Sequence, residues 1–124
     1  MSDLNFDSTT PIYQQIADDI RRRIIKGELK ADDQLMSTTQ YATTYRINPA
    51  TANKAFNQLA AEGLIYKQRG IGMFVSDQAA DLLRTEGRTT YRANTLQPAI
   101  REGLALGYTT EELKNLINNI LEEQ

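Results

Sequence analysis

Apolar positions recur at helical spacing along most of this chain. The first such stretch repeats isoleucine at every fourth position: Ile12, Ile16, Ile20 and Ile24. This spacing predicts an amphipathic helix over about 11–26. We expect Thr10 to cap this helix, Pro11 to be its first residue, and Gly27 to end it in the left-handed conformation. Residues 1–9 lack the pattern and predict a loose lead-in.

Two shorter helices are predicted next. Ser37 and Gln40 have the spacing of a capping box, which predicts a helix over about 38–45. Asn48 followed by Pro49 is a second helix start, with the asparagine as N-cap. The apolar face of this second helix, spaced i, i+3, i+4 and i+7, carries it to about residue 62: Ala52, Ala55, Phe56 and Leu59.

A glycine-tipped hairpin follows the second of these helices. The stretches 64–66 and 73–75 flank the basic sequence Arg-Gly-Ile-Gly at 69–72, and this arrangement predicts a β-hairpin with a flexible tip. Two helices joined by a tight turn and followed by a two-stranded wing make a winged helix-turn-helix. The second helix of that motif fits the major groove of DNA.

The remaining residues predict a helical tail. An interrupted apolar stripe runs through 78–106, and Pro98 is expected to kink or break it near 94–97. Thr109 and Glu112 form a second capping box. The last helix carries apolar residues on one face: Leu113, Leu116, Ile117, Ile120 and Leu121. A segment this short does not bury both stripes by itself. Folding onto its own domain or onto a second copy would bury them, and pairing with a second copy is the preferred interpretation.

The predicted fold is therefore mainly α-helical with a small β-hairpin. We expect a winged helix-turn-helix DNA-binding domain over 1–76 and a two-helix C-terminal dimerisation tail over 77–124. Symmetric pairs of reading helices are common among DNA-binding proteins, so a homodimer through the tail is the expected assembly.

Composition argues against enzymatic chemistry. The chain has neither histidine nor cysteine, which removes the usual zinc ligands, the thiol nucleophiles and the commonest general base. The acidic pairs, such as Asp18–Asp19, are adjacent in sequence and do not converge on one site. We expect no catalytic residues, no metal and no cofactor. Without a membrane-spanning stretch or a signal peptide, the expected location is the cytoplasm.

The net charge of −2 is unusual for a protein that binds DNA, because phosphate neutralisation dominates most such affinities. The stretch 37–76, however, contains four basic residues against the single acid Glu62: Arg46, Lys54, Lys67 and Arg69. A locally basic face on an acidic protein is therefore predicted. The basic run 21–23 is interpreted as a solvated face rather than a DNA contact.

At this point the residues resemble a known family. The strings PIYQQI at 11–16, NPAT at 48–51, EGLI at 62–65 and RGIGMFV at 69–75 are similar to the DNA-binding domain of GntR-type bacterial transcription regulators. The short helical tail resembles the YtrA-like branch of that family. The resemblance implies a winged-helix regulator, a repressor in our interpretation, that binds a palindromic double-stranded DNA operator as a homodimer.

Two positions depart from the family pattern. The family often has Pro-Ser-x-Arg at the start of the first reading helix, and a second arginine is common just after the N-cap of the second reading helix. Here these positions hold Thr39 and Pro49. Guanine is usually read by arginine, so we predict half-sites richer in A·T. The predicted DNA-contacting residues are polar or lie at the wing tip: Ser37, Thr38, Thr39, Asn48, Thr51, Asn53, Lys54, Arg69 and Gly70.

Specific roles follow from side-chain chemistry. Asn53 is suited to bidentate pairing with adenine, and Lys54 to phosphate or a base. Arg69 and Gly70 suit a minor-groove or backbone contact. A winged helix also serves in other proteins as a protein-interaction module, and that alternative is left open. Binding of an unknown small-molecule effector is left open too.

Overall fold

The computed structural model describes residues 6–124. In this range it contains these helices and strands in chain order: α1 (Ile12–Lys26), α2 (Thr38–Tyr45), α3 (Pro49–Ala61), β1 (Ile65–Gln68), β2 (Gly72–Val75), α4 (Ala79–Tyr91), a π-helical turn (Arg92–Leu96), α5 (Gln97–Ala105) and α6 (Thr110–Glu122). The predicted fold class, mainly helical with one small hairpin, is confirmed. Residues 1–5, where a signal peptide was not expected, lie outside the described range.

The chain divides into two compact units, one up to Arg84 and one from Thr85 onward. Helix α4 contributes to both. Its buried residues Ala79 and Leu83 belong to the hydrophobic core of the first unit, although the sequence had assigned everything after residue 76 to the tail. The first unit thus consists of the winged helix-turn-helix and the beginning of α4.

Helix α1 begins one residue later than predicted. Pro11 has ψ 141°, an extended conformation, and occupies the N-cap position without a side-chain cap. Its carbonyl accepts hydrogen bonds from the amides of Gln14 and Gln15. The expectation that Thr10 caps a helix starting at Pro11 is therefore wrong. At the other end, Gly27 has φ 82° and ends the helix as predicted.

The predicted loose lead-in is also wrong for the part that the structure describes. Phe6 packs its ring edge-on against Tyr45, with 6.0 Å between ring centroids. The Gln15 carboxamide accepts a hydrogen bond from the Asp7 amide and donates to the carbonyls of Asp7 and Thr10. One side chain thereby satisfies three backbone groups and holds the lead-in against α1, which hydrophobic periodicity does not reveal.

The helix-turn-helix follows the prediction closely. The hydroxyl of Ser37 accepts from the Gln40 amide and the Gln40 side chain accepts from the Ser37 amide, so the capping box of α2 is complete. The side chain of Asn48 accepts from the Ala50 amide and caps α3. Between the helices, Arg46 adopts a left-handed conformation with φ 54°, which non-glycine residues rarely adopt.

The wing is a two-stranded antiparallel hairpin in which Ile65 pairs with Val75 and Gln68 with Gly72. Gln34 adds an isolated antiparallel bridge to Phe74, so the extended stretch before α2 lies along the hairpin. Leu35 is buried there, and its amide donates to the carbonyl of Met73. The stretch before α2 is therefore held to the hairpin by backbone hydrogen bonds.

The core of the first unit joins α1, α3 and the base of the wing. The isoleucines at 16, 20 and 24 and all four predicted apolar residues of α3 are buried. The rings of Tyr41 and Phe56 meet edge-on at 5.5 Å and connect α2 to α3. Burial raises the pKa of Tyr41 to about 12, so this core tyrosine stays neutral at physiological pH.

In the second unit, the long helical stretch is not broken at Pro98. Residues 92–96 form a π-helical turn and α5 begins at Gln97, with Pro98 in its first turn. Pro98 has no amide to donate, and the Gln97 amide just before it donates five residues back to the Arg92 carbonyl. The disturbance expected near 94–97 is thus a π-helical turn rather than a break. Helix α6 begins with the predicted capping box of Thr109 and Glu112. Its Leu113 approaches α5 so closely that a Cβ on Gly103 would lie 2.8 Å from Leu113 Cδ2.

A buried ion pair lies within α1. The Asp19 side chain is 5% exposed and its Oδ2 lies 2.9 Å from Arg23 Nε, while its Oδ1 lies 2.9 Å from Arg22 Nη2. At the preceding position, Asp18 pairs with Arg21 at 2.7 Å but remains 51% exposed on the surface. The same two residue types therefore form a buried pair and an exposed pair in adjacent positions.

Asp19→Ala is predicted to lower the free energy of unfolding by about 3 kcal/mol, because it removes the buried carboxylate that two arginines share. The matched control Asp18→Ala should change it by less than about 1 kcal/mol. Urea unfolding followed by circular dichroism measures both. Equal losses for the two variants would contradict the assignment of the buried pair.

Candidate nucleic-acid interface

The outer side of α3 is open to solvent. Asn53 and Lys54 are exposed and Thr51 is half-buried, whereas Ala52 and Ala55 beside them are fully buried. The buried face attaches the helix to the core, with α1 and α2 as its main neighbours. The three predicted contact residues of this helix therefore lie where an entering duplex can meet them.

Two helix starts add further predicted contacts. Ser37 and Thr39 are exposed at the beginning of α2, Thr38 is half-buried, and Asn48 is exposed at the beginning of α3. The side chains of Ser37 and Asn48 are engaged as N-caps. Capping is therefore their structural role, and the amides of both first turns lie where helix termini favour an anion.

The wing tip is exposed and braced from one side. Gly70 has φ 79°, a conformation that favours glycine, and Arg69 and Ile71 beside it are exposed. Gln34 Nε2 donates to the Ile71 carbonyl at 3.2 Å. A Cβ on Gly72, whose φ is 151°, would lie 2.7 Å from the same nitrogen. Glycine at 72 thus lets the Gln34 side chain reach across to the tip.

At the base of the wing, a tyrosine hydroxyl is hydrogen-bonded to an aspartate carboxylate. The Tyr66 hydroxyl donates to Asp32 Oδ1 at 2.8 Å, and this hydrogen bond raises the pKa of Tyr66. Asp32 itself has φ 66° and its amide donates to the Val75 carbonyl. The link holds the loop before α2 to the hairpin and keeps the carboxylate engaged.

Electrostatically, the basic run in α1 is neutralised by its neighbours. Arg21 makes a bidentate contact with Glu62 at the end of α3, with Nη2–Oε2 at 2.7 Å, and also pairs with Asp18. Despite the desolvation that opposes it, the hydrogen bond and charge of Glu62 raise the pKa of Arg21. Arg22 and Arg23 share Asp19. This run is therefore a set of structural ion pairs.

The basic residues of the reading helices and wing are differently placed. Arg46, Lys67 and Arg69 are exposed and form no ion pair with any residue in the described part of the chain. Unpaired cations gain most from a phosphate, because they lose no existing partner. The positive charge available to a duplex thus lies on the helix-turn-helix and the wing.

Lys54 has a partner of another kind. Its Nζ lies 4.1 Å from the centroid of the Tyr13 ring in the first turn of α1. Local sequence patterns do not indicate this contact, because the two residues are 41 positions apart and Tyr13 lies on a different helix. The brace from Gln34 to the wing tip was missed for the same reason.

Other classes of site find little support within residues 6–124. No group of three or more acidic, histidine or cysteine side chains is placed to hold a metal ion, and none of the helices is long and apolar enough to cross a membrane. A shallow cleft of about 200 Å³ is lined by the end of α1, Lys30, Asp77 and Arg84. Its volume is below the roughly 300 Å³ typical of small-molecule pockets.

Comparison with known proteins identifies the family. Residues 12–75 match the family model described as bacterial regulatory proteins, gntR family. The chain belongs to the GntR family. The matched range covers α1, the helix-turn-helix and the wing, which are the elements that carry the predicted interface. GntR proteins are transcription regulators that bind DNA, and the protein is accordingly a DNA-binding regulator and not an enzyme.

Three similar proteins extend this assignment. The chain is 35% identical to the HTH-type transcriptional repressor YtrA of Bacillus subtilis over 91% of its length and 86% of that protein. A transcriptional regulator from Oenococcus oeni has a solved structure that is 28% identical, with a TM-score of 0.78 over 98% of this chain and 99% of that one. The expected resemblance to the YtrA-like branch is confirmed.

The third is a solved structure of AraR(DBD) in complex with operator ORR3. It is 25% identical, with a TM-score of 0.53 over 61% of this chain and 92% of that one. The GntR fold of this chain thus has a structural neighbour bound to an operator.

Gln34→Ala is predicted to loosen the wing tip of this GntR protein without unfolding it, because the change removes the bond to the Ile71 carbonyl. Backbone ¹⁵N relaxation should show larger-amplitude motion at 69–72 and unchanged values in α3. Gln34→Glu is the matched variant, which keeps the shape but removes the amide donor, and it should give the same result. Unchanged relaxation in both variants would rule out the brace.

Proposed function

We propose that this GntR protein represses transcription by binding a palindromic DNA operator as a homodimer. The observation that carries the proposal is the exposed outer side of α3 in a helix whose opposite face is buried in the core. The reading helix enters the major groove, and the wing meets the backbone or the minor groove. Such action on chromosomal DNA places the protein in the cytoplasm.

In this proposal the DNA-contacting residues have different roles according to their side-chain chemistry and position. Asn53 contacts a base, whereas Thr51, Ser37, Thr38, Thr39 and Asn48 approach phosphates from the two helix starts. Arg69 and Gly70 hold the backbone or minor groove from the wing. The outer face of α3 lacks arginine, the residue that most often reads guanine, so the half-sites are richer in A·T.

Selection from random DNA followed by gel shift tests the function. A palindromic consensus rich in A·T should emerge, and the shifted complex should form at nanomolar to micromolar protein and weaken steeply as salt rises. A G-rich consensus would remove the specificity proposal. No shift at low salt with any pool would favour the protein-interaction module instead.

Asn53→Ala is predicted to weaken operator binding by about 1–3 kcal/mol and to relax preference at one base position. The reason is the loss of a bidentate amide contact with no change to the buried face of α3. Competition gel shifts with operators changed one base pair at a time measure the effect.

Asn118→Ala on the exposed side of α6 is the matched control and should bind like the unchanged protein. A loss in Asn53→Ala that is uniform across all bases would contradict a role in base recognition, since backbone contacts carry no sequence information.

The second unit supports the dimer in this proposal. After Leu113 packs on α5, the rest of the apolar face of α6 remains exposed: Leu116, Ile117, Ile120 and Leu121. A contiguous apolar face of this kind is unusual on the surface of a monomer. Pairing with a second copy buries it and places two reading helices on one operator.

The double variant Leu116→Asp/Ile120→Asp is therefore predicted to sediment as a monomer and to bind the operator at least about tenfold more weakly, because each half-site is then bound alone. Asn118→Asp adds charge to the polar side of the same helix and should remain dimeric. Sedimentation velocity gives the mass of each. A monomeric unchanged protein at micromolar concentration would contradict the assembly.

A further inference from the structure

The contact between Lys54 and Tyr13 joins the reading helix to the start of α1. Tyr13 is half-buried and packs against the core of the first unit, so its ring is held in place. Lys54 is exposed in the middle of α3, and its Nζ lies over that ring at 4.1 Å from the centroid. A cation at this distance is attracted by the negative face of the aromatic ring.

This contact decides where the lysine charge is presented. A free lysine on a helix surface samples many rotamers, and fixing its long stem has an entropic cost. Because the ring already restricts the lysine side chain in the free protein, less rotamer freedom is lost when a ligand binds. The contact also places the ammonium over the ring of a residue in the first turn of α1.

The first turn of α1 favours an anion at the same place. Pro11 provides no side-chain cap and the turn contains no acidic residue, so its first amides are not satisfied by side chains. Amides at a helix start carry partial positive charge. The Lys54 ammonium adds a full positive charge at this end of the helix.

We propose that Tyr13 is a positioning residue that directs Lys54 to the phosphate backbone rather than to base edges. Tyr13 acts through its ring face. The inference rests on the proposed function, because it concerns one contact within the proposed operator complex, and it assigns Lys54 to affinity and not to sequence preference.

A double-mutant cycle on the selected operator tests this role. Tyr13→Leu keeps an apolar side chain on the core but removes the ring, and it should weaken binding about two- to fivefold, because the lysine then loses its rotamer freedom only when DNA binds. Tyr13→Phe keeps the ring and should bind like the unchanged protein. Neither variant should alter the selected base sequence, and thermal unfolding confirms that both fold.

The lysine variant supplies the other side of the cycle. Lys54→Gln should lower the slope of log K against log salt by about 0.9, the value for one phosphate contact. In the Lys54→Gln background, Tyr13→Leu should have no further effect. In the free protein, the Lys54 methylene protons should show ring-current shifts that persist in Tyr13→Phe and vanish in Tyr13→Leu.

Three results would overturn the inference while leaving the proposed function intact. The first is an equal loss of affinity in Tyr13→Leu and Tyr13→Phe, which would indicate that the Tyr13 hydroxyl and not its ring is required. The second is a loss of affinity in Tyr13→Leu that persists in the Lys54→Gln background. The third is an unchanged salt slope in Lys54→Gln. Failure of the unchanged protein to bind any selected DNA would instead overturn the proposed function itself.

Discussion

Helix α3 must bury one side in the core and leave the other side exposed to solvent. The arrangement of the proposed DNA-binding surface depends on this constraint. Its small and aromatic residues, including Ala52, Ala55 and Phe56, pack against α1 and α2 and are almost fully buried. Because this face is closely packed, the helix cannot rotate without exposing core surface. The orientation of Asn53 and Lys54 is therefore fixed by packing that takes no part in binding.

The distribution of charge resolves the conflict between an acidic protein and a DNA-binding family. The arginines of α1 are held by Asp18, Asp19 and Glu62, so they contribute to stability and little to the external field. The cations of the helix-turn-helix and wing have no carboxylate partner among the described residues. A weakly negative protein thereby presents a basic face, and a dimer doubles the number of phosphate contacts available to it.

Features set by neighbouring residues were predictable from the sequence. The capping boxes at Ser37 and Thr109, the N-cap at Asn48 and the ends of α2 depend on spacings of a few positions, and all are confirmed. Periodicity likewise identified the buried faces of α1 and α3, with the exception of Ile12, which is exposed. The predicted cap at Thr10 failed because an extended proline carbonyl took the N-cap position, which local pattern does not distinguish from a proline inside the first turn.

What the sequence did not reveal depends on contacts between distant positions. The Gln34 brace, the isolated bridge from Gln34 to Phe74 and the stacking of Lys54 on Tyr13 each join residues far apart in the chain. Pro98 predicted a kink or a break near 94–97, and the disturbance takes the form of a π-helical turn, which residue preference alone does not specify. The outer side of α3 could be assigned from sequence because Thr51, Asn53 and Lys54 alternate with the buried positions Ala52 and Ala55.

The most direct test of the central claim is an NMR titration of the labelled protein with operator DNA. The account predicts that the side-chain amide of Asn53 and the backbone amides along the outer side of α3 and at 69–70 shift first and most, while those of α6 stay in place. Shifts confined to residues 85–124, with α3 unaffected at saturating DNA, would contradict it.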